Sequence, residues 1–499
     1  MTAGDGAAGP RDYGGWRRRR GVGLAGLGAA GTTAALAVLL VLTLTAAVYP
    51  AGLAVAVPLA AAGGGLALAR ASGQPVVLLA VRRWRWHHAS RREYTSYRAG
   101  VVAAQRPDWQ LPGVLAPLAL LDCEDGTGGR YGIVADRRSG LMTATLRVVP
   151  ASLWLAGRGD ADAWVASWGS WLASLGHLPM CRRVTVIIDT APEPGTALAG
   201  RVAAALDPAA PLAARQILTQ VAATAPAAAA DVATLVSITF DPALSPAAPA
   251  SLTAAAAEVG RVMSGLESAL GSCGVTVLGR ASAADIAGTV RAASDPASRG
   301  EIRRALAGAT AGGPAPGSGW EDAAPVGAQE HPGRYLHDSG TSVSWAWREA
   351  PRQAVTADVL ARLLAPGPFP RRVALQYRPL PAAEAARVLE GEVGAAQFRA
   401  AYRHRTGRDE TARDAFDTAR ARQAAAEEAA GAGVCLVSLY VTVTVTAATD
   451  LPRAIADTEA AAESSRIRLR TMTYSQAAGW ATTLPCGICP QELARRARR

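Results

Sequence analysis

Residue types that carry chemistry are sparse in this chain. It has six cysteines and six histidines, and each of its 51 basic side chains is an arginine. The lack of lysine has a direct consequence. A phosphate-binding loop uses a lysine to reach the β- and γ-phosphates, and a kinase-type site needs one too. Glycine clusters at Gly63–Gly65, Gly126–Gly129 and Gly312-Gly313 lack the strand-to-helix setting that phosphate binding requires. There is no G-x-S-x-G elbow and no H-E-x-x-H pair.

The pair Cys486-Gly487-Ile488-Cys489 has the spacing of half a zinc site or of a redox dithiol. A structural zinc needs four ligands, and no second pair lies within reach, although Cys435 is available. A redox pair opens a helix after a strand, whereas Pro485 and Pro490 bracket this one. We read these cysteines as packing or loop residues, and all six as free thiols in a reducing compartment. His177 and Cys181 stand four apart with Pro179 between them, which breaks a shared helical face. His87 and His88 point about 100° apart on a helix. His331 and His337, with Glu321 and Asp322 before them, read as a solvated loop. Trp164, Trp168 and Trp171 form one helical stripe, a core stripe rather than a ligand shelf. The sequence thus assigns no catalytic, cofactor-binding or metal-ligating residue. The expectation is a protein that is not an enzyme, binds no nucleotide and needs no cofactor.

The elements that would position these residues begin with an apolar run. Between Arg20 and Arg70 there is no Asp, Glu, Lys or Arg, and Tyr49-Pro50 falls near the middle. A crossing needs roughly 20 apolar residues, so the run predicts a two-helix transmembrane hairpin over residues 21–70, Leu24–Val48 out and Gly52–Leu68 back. Arg17–Arg20 precede it, and Arg82, Arg83, Arg85, Arg91 and Arg92 follow. Arginine-rich flanks stay inside, so both termini would be cytosolic in a multi-pass protein of the inner (plasma) membrane. The net charge of +11, partly held in those flanks and in Arg495–Arg499, favours anionic lipid of the inner leaflet over nucleic acid.

Residues 1–20 read as a disordered N-terminus and 71–125 as a juxtamembrane segment. From Tyr131 onward, strand and helix patterns alternate. Strands are expected at Tyr131–Ala135, Leu141–Val148, Val184–Ile188, Val232–Phe240 and Val275–Leu278. Helices are expected at Ala161–Leu175, Gly195–Leu206, Leu212–Ala223, Leu252–Leu270 and Ala283–Ala293. A Gly/Pro-rich linker over residues 308–330 separates this unit, 126–307, from a second at 331–490, and 491–499 is a basic tail. The second unit repeats the order: strands Thr341–Trp347, Val373–Tyr377, Val434–Thr446 and Ile467–Met472, with helices Thr356–Leu364, Ala382–Ala430, Leu451–Glu463 and Ser475–Thr483. Prolines stop Val184–Ile188 and Val373–Tyr377 at like places, which suggests an internal duplication. The fold class expected is α+β: a transmembrane hairpin followed by two similar split βαβ (ferredoxin-like) units.

Tyr13-Gly14-Gly15-Trp16, the stretch Trp164–His177, Tyr335–Gly340 with Ser344-Trp345, Tyr474–Ala478 and Leu484-Pro485 together carry a resemblance. The chain resembles an uncharacterised actinobacterial family of integral membrane proteins found with integrative conjugative elements. It departs from that pattern at Cys486, where an aliphatic residue is expected. More distantly, its layout is similar to the membrane anchor plus N-terminal non-ATPase domain of conjugative type IV secretion ATPases, in which a Leu-Pro element leads into the nucleotide-binding core. The resemblance implies a membrane-anchored, non-catalytic coupling subunit of a secretion machine. Its partners would be a separate ATPase and other membrane subunits, within an oligomeric complex. On this view Tyr474, Trp480 and Ile488 would line an exposed docking patch near the closing segment. The alternatives are a type VII secretion membrane component and a membrane-bound enzyme or sensor with an unrecognised site.

Overall fold

The computed structural model describes residues 13–14, 28–49, 51, 53–71, 74–99, 110–125, 129–151, 156–192, 202–203, 205–224, 230–310, 319–351, 353–405, 412–429 and 431–496. The expected disorder before Tyr13, the flank Arg17–Arg20, most of the Gly195–Leu206 helix, residues 311–318 of the linker and the end of the basic tail lie outside these. One sheet is built from β1 (Ser96–Arg98), β2 (Leu118–Glu124), β3 (Arg130–Asp136), β4 (Met142–Pro150), β5 (Cys181–Pro192), β6 (Ala230–Phe240), β7 (Val275–Arg280), β8 (Gly327–Glu330), β9 (Tyr335–His337), β10 (Gly340–Glu349), β11 (Arg371–Pro379), β12 (Cys435–Val445) and β13 (Arg468–Thr471). The helices are α1 (Gly28–Val48), α2 (Leu53–Leu68), α3 (Val76–Arg91), α4 (Arg158–Leu175), α5 (Leu212–Thr224), α6 (Leu252–Leu270), α7 (Ala283–Ser294), α8 (Arg299–Thr310), α9 (Trp320–Ala323), α10 (Ala361–Leu364), α11 (Ala382–Arg405), α12 (Ala412–Ala429), α13 (Leu451–Ser464), α14 (Gln476–Thr482) and α15 (Pro490–Arg496). They fall into two compact units, one of residues 1–14, 92–379 and 435–499, the other of 15–91 and 380–434.

The first unit holds the whole 13-stranded sheet. Its order is β1-β8-β9-β10-β12-β11-β5-β6-β4-β3-β2, with β13 beside β10 and β7 beside β4. Every pairing is antiparallel. The order β7-β4-β6-β5 on one side recurs as β13-β10-β12-β11 on the other. The two runs join where β5 meets β11, with Ile187 opposite Ala374. This overturns the expectation of two small ferredoxin-like units behind a transmembrane hairpin. Val184, Ile187, Val373 and Ala374 are all buried. Strands this apolar make poor edges, and pairing them removes the exposed edge each small unit would have carried. β1 and β2 were not expected; both lie in the segment read as juxtamembrane.

Local chemistry sets the boundaries. Ser251 caps α6 by accepting from Ala254 N at 3.1 Å, and Ser282 and Asp285 form a capping box at the start of α7. Along α6, Ala255, Ala256, Val259, Met263, Leu266 and Leu270 recur at helical spacing and are buried. In the strands the alternation has a period of two and separates two faces. Ala144, Leu146 and Val148 of β4 and Val236, Ile238 and Phe240 of β6 pack on α4 and α6. Val343 and Trp345 of β10 and Leu439, Val441 and Val443 of β12 pack with α10 and α13. The opposite face is polar at its centre.

In the second unit α1 lies against α2 and α2 against α3, while α11 and α12 pair as a helical hairpin. The expected Ala382–Ala430 helix is therefore two helices. Among the described residues no helix is long and apolar enough to cross a membrane. That finding corrects the transmembrane hairpin and, with it, the multi-pass inner-membrane location. The charge-free run is divided, and α2 has 16 residues with Pro58 inside it. At 1.5 Å per residue this is about 24 Å, short of the roughly 30 Å hydrocarbon core.

Candidate functional site

The polar face of the sheet gathers more buried hydrogen-bonding side chains than any other place among the described residues. On β4 and β6, Thr143 bonds Thr239 at 3.0 Å and Thr145 bonds Ser237 at 2.9 Å. On β10 and β12, Ser342 bonds Thr444 at 2.8 Å and Ser344 bonds Thr442 at 2.9 Å. These are the same two rungs in each half of the sheet. Between them, β5 and β11 contribute Arg183, Thr185, Asp189, Arg372 and Gln376, all buried. Buried polar groups need partners, so this face cannot be left against an apolar cover.

The closing segment, Tyr474–Glu492, supplies the cover from both its backbone and its side chains. The Gln476 carboxamide clamps Ser344, accepting from its N–H at 2.8 Å and donating to its carbonyl at 3.3 Å. Glu330 accepts from the Ala477 N–H at 3.0 Å. Arg372 donates from Nε to Thr483 Oγ1 at 3.3 Å, Gln376 to the Ile488 carbonyl at 2.8 Å, and Arg183 to the Gly487 carbonyl at 2.5 Å. A second guanidinium nitrogen of Arg183 pairs with Glu492 at 3.1 Å. Gly487 has φ +66°, and its Cα faces the Thr143–Thr239 rung so closely that a Cβ would meet both hydroxyls. Gly479 stands likewise over Ser344.

The expected docking patch is thereby corrected. Trp480 and Ile488 are buried, and the Trp480 ring lies tilted at 5.4 Å from Tyr335 and 5.5 Å from His337. With Leu484 and Cys486 they join a core shared with α7 and α9. These side chains close the sheet's own core.

Three titratable groups stand out within the layer. Arg299 bonds Asp189 at 3.0 and 3.2 Å and Asp231 at 3.0 Å. Burial works against its charge, and the two carboxylates outweigh it, so the guanidinium sits above its ordinary value. Arg372, opposite Asp189 in the β5–β11 register, is pushed down to about 10 by burial. His337 is buried, with Nδ1 at 2.6 Å from the Ser294 carbonyl and Nε2 at 2.7 Å from Ser342 Oγ. The carbonyl can only accept, so Nδ1 carries the proton and Ser342 donates to Nε2. That is the polarity of a nucleophile–base pair, but both side chains lie inside the core and Ser342 continues into the Thr444 rung. Burial lowers His337 to about 4, which keeps the ring neutral at physiological pH.

The residues singled out in the sequence do not converge on one site. Cys486 is buried in the core and pushed up to about 12, and Cys489 lies part-buried three positions on. Cys181 is raised to about 12 and Cys435 to about 11, each mainly by burial, so both stay protonated thiols. His331 is lowered by burial and by Arg334, and His337, read as part of a solvated loop, is in fact in the core. His88 stacks on Trp84 with centroids 5.8 Å apart. Trp168 stacks on Trp171 at 5.0 Å and meets Tyr377 edge-on at 5.6 Å, while Gly274 leaves room for the Trp164 ring. Among the described residues no three His, Cys, Asp or Glu side chains group as a metal site. What sequence reasoning missed is the Ser/Thr layer, whose signal was Ser and Thr at alternate positions in four strands, as in Thr442-Val443-Thr444. Compared with known proteins, the chain matches no family model and no curated sequence.

Proposed function

We propose that this chain is a non-catalytic coupling subunit of a conjugative, type IV-like secretion machine, docking an ATPase carried on a separate chain. One observation carries the reading. The segment Tyr474–Ala478 with Leu484-Pro485 resembles the element that leads into a nucleotide-binding core, yet here it folds back and seals the polar face of the sheet. Ser344, Gln376 and Arg183 of that face are engaged with the closing segment, which suits a rigid docking body. The absence of lysine is in keeping with nucleotide chemistry on another chain.

Because Trp480 is buried, the proposed docking surface is sought elsewhere on the unit. Leu278 and Val326 are apolar and both 58% exposed. A photo-crosslinking amino acid at each position in the native host, followed by mass spectrometry, tests the reading. Capture of a secretion-type ATPase from either position supports it. Crosslinks confined to the chain itself from both, or ATP turnover by the purified protein, overturn it.

A further inference from the structure

At one end of the polar face the closing segment roofs a small cavity of about 30 Å³. Its floor comes from three adjacent strands. In the register, Thr185 of β5 stands opposite Gln376 of β11, and Gln376 opposite Ser438 of β12. One step along, Arg378 stands opposite Leu436, and Arg183 lies two positions before Thr185 on the same face of β5. The lining therefore sets Arg183, Gln376, Arg378 and Ser438 beneath Gln491 and Glu492. Two guanidinium groups, two carboxamides and a hydroxyl make a donor-rich wall of the kind that binds oxyanions.

Two further observations point to a ligand. Arg183 is 3% exposed and its Nε, among the buried polar atoms, has no protein partner. The cavity also already holds an anion of the chain's own, because the Glu492 carboxylate is paired with Arg183 at 3.1 Å. Gln491 closes the other side by donating to Ser438 Oγ at 2.8 Å. Unlike the buried Arg299 pairs, this carboxylate is 24% exposed and comes from a seven-residue helix that is not part of the sheet, so it can leave its seat without unfolding the strands.

We propose that this cavity is a small-oxyanion site, for phosphate or a carboxylate, in which Glu492 is the resident anion and an external oxyanion exchanges with it. The inference is independent of the docking reading. A group that competes with a tethered carboxylate binds weakly until the carboxylate is removed.

The test uses the full chain with inorganic phosphate, read by phosphorus NMR line broadening, and with acetate as a competitor. Wild type is expected to bind phosphate weakly. Glu492→Ala should bind about tenfold tighter, and Arg378→Gln in that background should lose about tenfold again, each the size of one charge-assisted hydrogen bond. Displacement of phosphate by acetate at similar concentration assigns the site to carboxylates as well. Failure of acetate to compete restricts it to phosphate. Thermal melts of each variant show that the fold is kept. Equal affinities in wild type and folded Glu492→Ala, or no binding by either, overturn the proposal.

Discussion

Replacing Gly487 by alanine tests whether the closing segment is held against the polar layer as tightly as its geometry states. Two costs add. The residue has φ +66°, a conformation that costs an L side chain about 1–2 kcal/mol. Its new Cβ would also press on Thr143 Oγ1, well inside van der Waals contact, and come within 3.2 Å of Thr239 Oγ1. Thr143 is β-branched, lies on a central strand and is bonded to Thr239, so it cannot swing aside. Overpacking of this kind costs about 1–3 kcal/mol. The sum is about 2–5 kcal/mol, a large part of the 5–15 kcal/mol that holds a typical domain.

Gly140 supplies the control. It has φ +71° and open space, with nothing within 4 Å, where an alanine Cβ would lie, so Gly140→Ala carries the backbone cost alone. Urea unfolding followed by tryptophan fluorescence, with slopes compared so that midpoints can be read as stability, gives both values. The excess for Gly487→Ala should be about 1–3 kcal/mol. Thr143→Ala in the Gly487→Ala background should recover part of it by removing the colliding hydroxyl. If Gly487→Ala costs no more than Gly140→Ala, the close seating of the segment on the Thr143–Thr239 rung is refuted.

Three further outcomes follow from the same layer. His337, lowered to about 4 by burial, is neutral in the folded chain, whereas the unfolded chain takes up a proton below about 6.5; stability is therefore full above 6.5, falls by about 3 kcal/mol between there and about 4, and levels off below. Urea midpoints at pH 7.5 and 4.5 should show this loss, and a His337→Gln variant with an unchanged pH slope would contradict it. Arg299→Met leaves Asp189 and Asp231 without their main cation and should cost about 3–5 kcal/mol by the same assay, more than Arg303→Met at the exposed end of the cluster. Cys486→Ser buries a hydroxyl in an apolar core and should cost about 1–3 kcal/mol, while Cys489→Ser should cost little; equal effects would mean Cys486 is not packed as described.

Several elements were readable from local signals. The stretches Val184–Ile188, Val232–Phe240, Thr341–Trp347 and Val373–Tyr377 lie within β5, β6, β10 and β11, and Leu252–Leu270 is α6 to the residue. Period, length and proline stops act over a few positions, and a single sequence carries them in full. The pairing of β5 with β11 has no such signal, because the partners are far apart in the chain. The charge-free run after Arg20 shows the opposite failure: composition gave a strong pattern, and yet among the described residues no helix is long and apolar enough to cross a membrane, α2 being 16 residues with Pro58 inside it.

The closing segment was misread for a physical reason. Leu484, Cys486 and Ile488 alternate with Pro485 and Gly487, and such a segment reads alike whether it covers its own sheet or faces a partner. The answer lay in the strands. Ser and Thr alternate with buried apolar residues in β4, β6, β10 and β12, so those strands bury both faces. A buried row of hydroxyls and arginines demands a cover rich in backbone carbonyls and free of bulk where it crosses the rungs. A segment with glycine at 479 and 487, and with carbonyls at 487 and 488 offered to Arg183 and Gln376, meets both demands. The Ser/Thr rows and the two glycines are thus one constraint written in two places, and neither half is legible without the other.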